Sequence, residues 1–204
     1  MGRVGWILGL AVLWGTIWPG ATAAAPAGRW LEVPHLSQLD GSPYQGSNCG
    51  PASMGMVLAY YGQAVSTRTV RAEVNDLQGT WDDYDSGTAV RSLVTIAARH
   101  GLRPLGAYDG VSLRRWTLND VQAQLDAGHP VIAEVWYRGL PGHRDSSYNG
   151  DHYVVLTGYS DDGLIYNDPI DRAGGRQIGW QTFERAWRSG DLALAAVAVA
   201  PGDE

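Results

Sequence analysis

Asn48-Cys49-Gly50-Pro51-Ala52-Ser53-Met54-Gly55-Met56-Val57-Leu58-Ala59-Tyr60-Tyr61-Gly62 is the stretch on which the fold turns. Pro51 suits a first helical turn and Gly62 suits a C-terminal cap, so the pattern predicts a helix over Pro51–Tyr61. Met54, Val57, Leu58 and Tyr61 recur at helical spacing and give that helix a core-facing side. Upstream, Trp30–Pro34 reads as a short strand, and His35–Asn48 as a loop rich in Gly, Ser and Pro. Downstream, Ser66 is placed to cap a second helix over Thr67–Asn75. Leu77–Gly87 is a polar, acidic loop. A third helix is expected over Thr88–His100, ended by Gly101, with Ala89, Leu93, Ile96 and Ala97 as its apolar stripe. A short fourth helix follows over Leu118–Asp126, with Leu118, Val121 and Leu125 on one face. Then the period shortens. Pro130–Tyr137, His152–Tyr159, Gly163–Asn167 and Leu192–Val199 read as strands, with a turn at Ser160-Asp161-Asp162-Gly163 and a short helix over Gln181–Arg188. Helices first and an antiparallel sheet second make an α+β pattern.

The chain has 204 residues, of which 45% are hydrophobic and 18% charged, enough for one globular domain. It carries no internal repeat. All 15 basic residues are arginine, which excludes Schiff-base lysine chemistry and a lysine-bearing phosphate loop. A net charge of −6 without a basic patch argues against nucleic acid as a partner. The single cysteine, Cys49, excludes an internal disulfide and a cysteine-rich zinc site. Asp83, Asp85 and Gly87 resemble half of a calcium loop, but Val94 stands where a ligating glutamate belongs, so no metal and no cofactor is expected.

The N-terminus has the order of an export signal: Arg3, an apolar run over Val4–Trp18, the breakers Pro19 and Gly20, then Ala21-Thr22-Ala23. Residues 1–23 are expected to be removed, leaving a short segment over 24–32 and a domain over 33–200. The product would be secreted and without a stable membrane span; retention as an uncleaved anchor is the alternative. A lone thiol in an oxidising compartment is unusual. Nothing in the sequence sets an oligomeric state.

Cys49 opens the first helix, where the positive end of the helix dipole favours a thiolate. Taken alone, a free cysteine is more often a small buried hydrophobe. His152 opens a strand, and Asp168 follows it by sixteen residues with the turn midway. A hairpin closed there brings the two roughly opposite each other, so thiolate, imidazole and carboxylate can converge. Gln38 and Gln45, both in the loop before Cys49, are candidate oxyanion donors beside the Cys49 backbone N–H. Tyr137, Trp81 and Trp136 are candidate cleft residues. His143 and Asp145 fall in a loop and read as surface, and His129 reads as structural.

Val33-Pro34-His35-Leu36-Ser37-Gln38, then Asn48-Cys49-Gly50-Pro51-Ala52-Ser53, then Tyr60-Tyr61-Gly62, resembles the start of the family thirty-nine cysteine peptidases, the bacteriocin-processing, double-glycine type within the papain-like superfamily. Gly128-His129-Pro130-Val131-Ile132, Asp151-His152-Tyr153-Val154-Val155-Leu156-Thr157-Gly158-Tyr159 and Asn167-Asp168-Pro169 are similar to its second half. The resemblance implies a bacterial protein with a papain-like fold, a helical half carrying a nucleophile and a sheet half carrying a base. It implies Cys49 as nucleophile, His152 as base, Asp168 as orienter and Gln38 as oxyanion donor, acting on a peptide or protein substrate. Two departures stand out. Asp40–Ser47 reads as an insertion between Gln38 and Cys49, and no transporter domain accompanies the peptidase-like part, so a stand-alone member is implied. The same thiol chemistry leaves two other readings open, a cell-wall amidase or transpeptidase and a catalytically silent binding module.

Overall fold

The α1 helix (Cys49–Tyr60) is buried on every side over most of its length, from Gly50 to Leu58, in the computed structural model, which describes residues 1–2 and 28–202. The expected export signal therefore lies outside the described residues, apart from Met1 and Gly2. The apolar pattern predicts a single buried face for α1 because Ala52, Ser53 and Gly55 do not stand out as core residues. Their small volumes let neighbours approach from all directions. α1 packs against α2 (Thr67–Gln78), α3 (Val90–Arg99) and the long strand β6 (Asp151–Ser160).

The expected helices form with modest shifts at their ends. Ser66 accepts a hydrogen bond from the Thr69 N–H and caps α2, which runs three residues past its expected end into the acidic loop. The α3 stripe uses Val90 in place of Ala89, which is exposed as the residue before the helix. α4 (Leu118–Asp126) has the expected bounds, fixed by a reciprocal cap between Thr117 and Asp120. α5 (Trp180–Arg188) buries Phe183, Ala186 and Trp187.

Among the described residues the sheet has seven strands, and every pairing in it is antiparallel. Its order is β2 (Leu102–Leu105), β9 (Ala196–Pro201), β5 (Val131–Trp136), β6, β7 (Gly163–Asn167), β8 (Arg176–Gly179). β1 (Arg29–Trp30) pairs with the far end of β6. It stops at Trp30, short of the expected Pro34, because the Val33 N–H turns back to the Leu31 carbonyl and Pro34 has no N–H to give. β1 can lie there because residue 158 is glycine: a Cβ would come within 2.3 Å of the Arg29 carbonyl oxygen. A two-residue hairpin, β3 (Tyr108–Asp109) and β4 (Ser112–Leu113), stands apart. Among the described residues no helix is long and apolar enough to cross a membrane.

Arg71 of α2 fixes the loop that leads into α1. It is buried, and its Nε donates to Asn48 Oδ1 at 2.7 Å while its Nη1 and Nη2 donate to the Ser86 and Ser47 carbonyls. Asn48 is thereby diverted from capping α1, and it makes no side-chain cap bond. Removing the guanidinium would strand three acceptors. Arg71→Met is expected to cost about 3 kcal/mol, a fall of about 6–12 °C in Tm for a chain of this size, read by thermal circular dichroism. A Tm within about 2 °C of wild type would contradict this account of the loop.

Candidate active site

Helix start, strand start and strand end meet at one point. Cys49 is the first residue of α1, His152 the second of β6, and Asp168 follows β7 directly. The β6–β7 ladder pairs Val155 with Asn167, so continuing its register would put Asp168 beside Val154, two residues from His152 on the same side of the strand. The side chains close that gap. His152 Nε2 lies 2.6 Å from Asp168 Oδ1, and both residues are buried. Nε2 is thus committed, which leaves Nδ1 as the ring nitrogen available to Cys49, with which His152 interacts electrostatically.

The electrostatics follow from these contacts. Burial alone would raise the Cys49 thiol, but the hydrogen bond and positive charge of His152, with the N–H groups of Tyr153 and Gly50, bring it below its ordinary value. Burial alone would lower His152, but its bonds to Asp168 and to Cys49 push it up to about 10. Burial would likewise raise Asp168, yet the His143 and His152 rings beside it hold it well below the usual carboxylate range. The favoured state is therefore thiolate, imidazolium and carboxylate together. By linkage, the raised His152 value stabilises the fold below the ordinary imidazole range, and that stability is lost as pH rises through about 10. The depressed Asp168 value stabilises above the ordinary carboxylate range and is lost in acid.

Gln38 is buried and lines the same cleft as Cys49 and His152. Its Nε2 donates to the Gln45 carbonyl at 3.0 Å, which spends one of two amide hydrogens and leaves the other. Gln45 itself is exposed and does not line the cleft. Gly50 serves packing: a Cβ there would meet the Thr88 side chain at 2.5 Å, so it is the neighbouring loop that comes close.

Two connections escaped the sequence reading. The first is a zipper between the loop before Cys49 and the segment around Asp168. Asn167 Nδ2 donates to the Val33 carbonyl at 2.9 Å, His35 Nε2 lies 2.9 Å from the Asp168 carbonyl oxygen, and the Gln38 N–H donates to the Pro169 carbonyl at 2.9 Å. These contacts span more than 130 residues, so no local pattern announces them. The second is His143, read as surface. Its Nε2 sits 3.3 Å from Asp168 Oδ2, an ion-pair distance without the alignment of a good hydrogen bond. Its ring stacks on Tyr137 at 4.4 Å, and Tyr137 meets His152 edge-on at 5.0 Å. Of the expected cleft residues, Tyr137 lines the cleft and Trp81 and Trp136 do not; His129 bonds locally to Gln124. The cleft is about 780 Å³, large enough for several residues of an extended peptide.

A family model described as Peptidase_C39 like family matches residues 30–191, most of the chain. No curated protein matches. Among solved structures, a chain from Bacillus anthracis described as a C39-like peptidase is 18% identical, with a TM-score of 0.61 over 87% of this chain and 99% of its own. The peptidase domain of Streptococcus ComA, a bifunctional ABC transporter, is 23% identical, with a TM-score of 0.53 over 83% of this chain and 98% of its own. At these identities the likeness is one of fold, the papain-like arrangement of helices and antiparallel sheet.

The Asp168 contact has a spectroscopic consequence. In wild type the His152 ring, assigned by its loss in His152→Ala, should titrate near 10 by NMR. In Asp168→Asn that value should drop by about 1–3 units. A wild-type ring titrating near the ordinary 6.5, or one indifferent to Asp168→Asn, would contradict the assignment of Asp168 as its partner.

Proposed function

Because the chain belongs to the C39-like peptidase family, we propose that it is a cysteine peptidase working through Cys49, His152 and Asp168, with Gln38 at the oxyanion. The observation that carries this reading is Cys49 beside the hydrogen-bonded His152–Asp168 pair on the wall of a peptide-sized cleft. The Cys49 thiolate attacks the scissile carbonyl carbon. The carbon–sulfur bond forms as the carbonyl π pair moves onto oxygen. The Cys49 N–H and the free amide hydrogen of Gln38 are the donors for that oxyanion. His152, already protonated, gives its proton to the amine as the carbon–nitrogen bond breaks. The neutral imidazole then takes a proton from water, hydroxide adds to the thioester, and collapse releases the acid and the thiolate with imidazolium restored. Asp168 keeps the ring turned toward sulfur throughout. Such a pair needs no metal and no cofactor. The segment over residues 1–23 has the order of an export signal, so the reaction is assigned to the outside of the cytoplasm.

Digestion of a peptide library, read by mass spectrometry, tests the assignment. Cys49→Ala and His152→Ala should each lower the rate by several orders of magnitude, because the members act as a unit. Gln38→Ala should cost about 10²–10³, with circular dichroism showing each variant folded. Wild-type cleavage that survives in Cys49→Ala would remove this cysteine from the mechanism.

A further inference from the structure

Four carboxyl groups, those of Asp85, Glu134, Asp151 and Asp191, line the cleft that holds Cys49, and no arginine among the described residues lines it. Two of them are built into the sheet. Glu134 lies in the middle of β5, paired with Tyr153, and Asp151 opens β6 opposite Trp136. Glu134 is 2% exposed. Its Oε2 accepts the Leu192 N–H at 3.1 Å, whereas Oε1 is buried with no donor. Both Asp151 oxygens accept the Asp191 N–H at 3.0 Å. A Cβ at Gly190 would lie 3.1 Å from Glu134 Oε1 and 3.3 Å from Asp151 Oδ1, so the two acids face one spot and glycine leaves it open. The Asp191 side chain stands exposed at the rim. Tyr148 lines the same wall, and its phenol donates to the Asp151 carbonyl at 2.8 Å.

Holding the 189–192 loop needs only neutral acceptors. Burying a carboxyl with an open oxygen costs free energy that a neutral side chain would avoid. The acids are spread too widely for a metal ion. Among the described residues His143, Asp168 and Asp171 are the only group of three or more such side chains whose ligand atoms all lie within 4.8 Å of one another. A guanidinium or ammonium, with several donors and an extended shape, matches three spaced carboxyls beside an aromatic ring.

We infer that Glu134, Asp151 and Asp191, with Tyr148, form a subsite for a basic side chain, so that the substrate is a peptide carrying arginine or lysine near the scissile bond. This specificity rests on the peptidase reading of the same cleft.

Capped hexapeptides of glycine and alanine test it, with Arg, Lys, norleucine or Glu moved through each position. Calorimetry measures their Kd for Cys49→Ala, and wild type gives kcat/KM. At one position or two neighbouring ones, Arg and Lys should outperform norleucine by about tenfold or more, and Glu should be worst. Asp191→Asn, altered only at the rim, and Glu134→Gln should each shrink that ratio about threefold, and the double variant should flatten it. Cleavage with a flat profile, or a preference unchanged in both variants, overturns the subsite and leaves the peptidase reading standing. Basic preference in binding with no cleavage of any peptide supports the subsite and overturns the peptidase reading. Neither binding nor cleavage overturns both.

Discussion

A thiolate and an imidazolium can stay charged inside a protein only as a pair, because each alone would be neutralised by its own desolvation. The Cys49–His152 contact is therefore the constraint that the architecture serves. Its partners come from opposite ends of the chain order, the start of the first helix and the second residue of the longest strand. Their meeting requires α1 to lie directly on β6, and α1 is buried all round as a result. Asp168 then sets which imidazole nitrogen faces sulfur, and it is itself pinned by the Ile170 N–H and by His143 and His35.

The long periodic elements were legible in the sequence. α4 has the expected bounds because its capping residues are local, and β7 because its turn is marked by Asp161-Asp162-Gly163. Cys49, His152 and Asp168 could be grouped from a helix start and a turn midpoint, signals that survive errors of a residue or two. What was hidden was non-local or short. β2 contains Pro104 and pairs only at the sheet edge, and β8 sits in a Gly- and Arg-rich run without strand alternation. His143 carried no motif, since its role exists only once the loop after β5 folds back on Asp168. The buried face of α1 made of Ala52, Ser53 and Gly55 was invisible to a pattern built on large apolar residues.

The acidic wall of the cleft has to coexist with a thiolate, and like charges in one enclosure repel. Glu134 resolves part of this by keeping its proton at neutral pH, so its carboxyl adds no charge to oppose Cys49. Arg71, buried behind the loop before α1, adds a positive charge that feels Cys49 directly. A chain with a net charge of −6 can thus hold a low thiol value at a site bordered by carboxyls.

The ion pair itself is open to direct observation through the ultraviolet absorbance of the thiolate, taken as the difference between wild type and Cys49→Ser. At about pH 6, well under the free-thiol range, the account predicts a thiolate band that persists into the alkaline range and weakens in His152→Ala. A difference spectrum without a thiolate band until the pH passes about 8.5 would mean that Cys49 is an ordinary thiol.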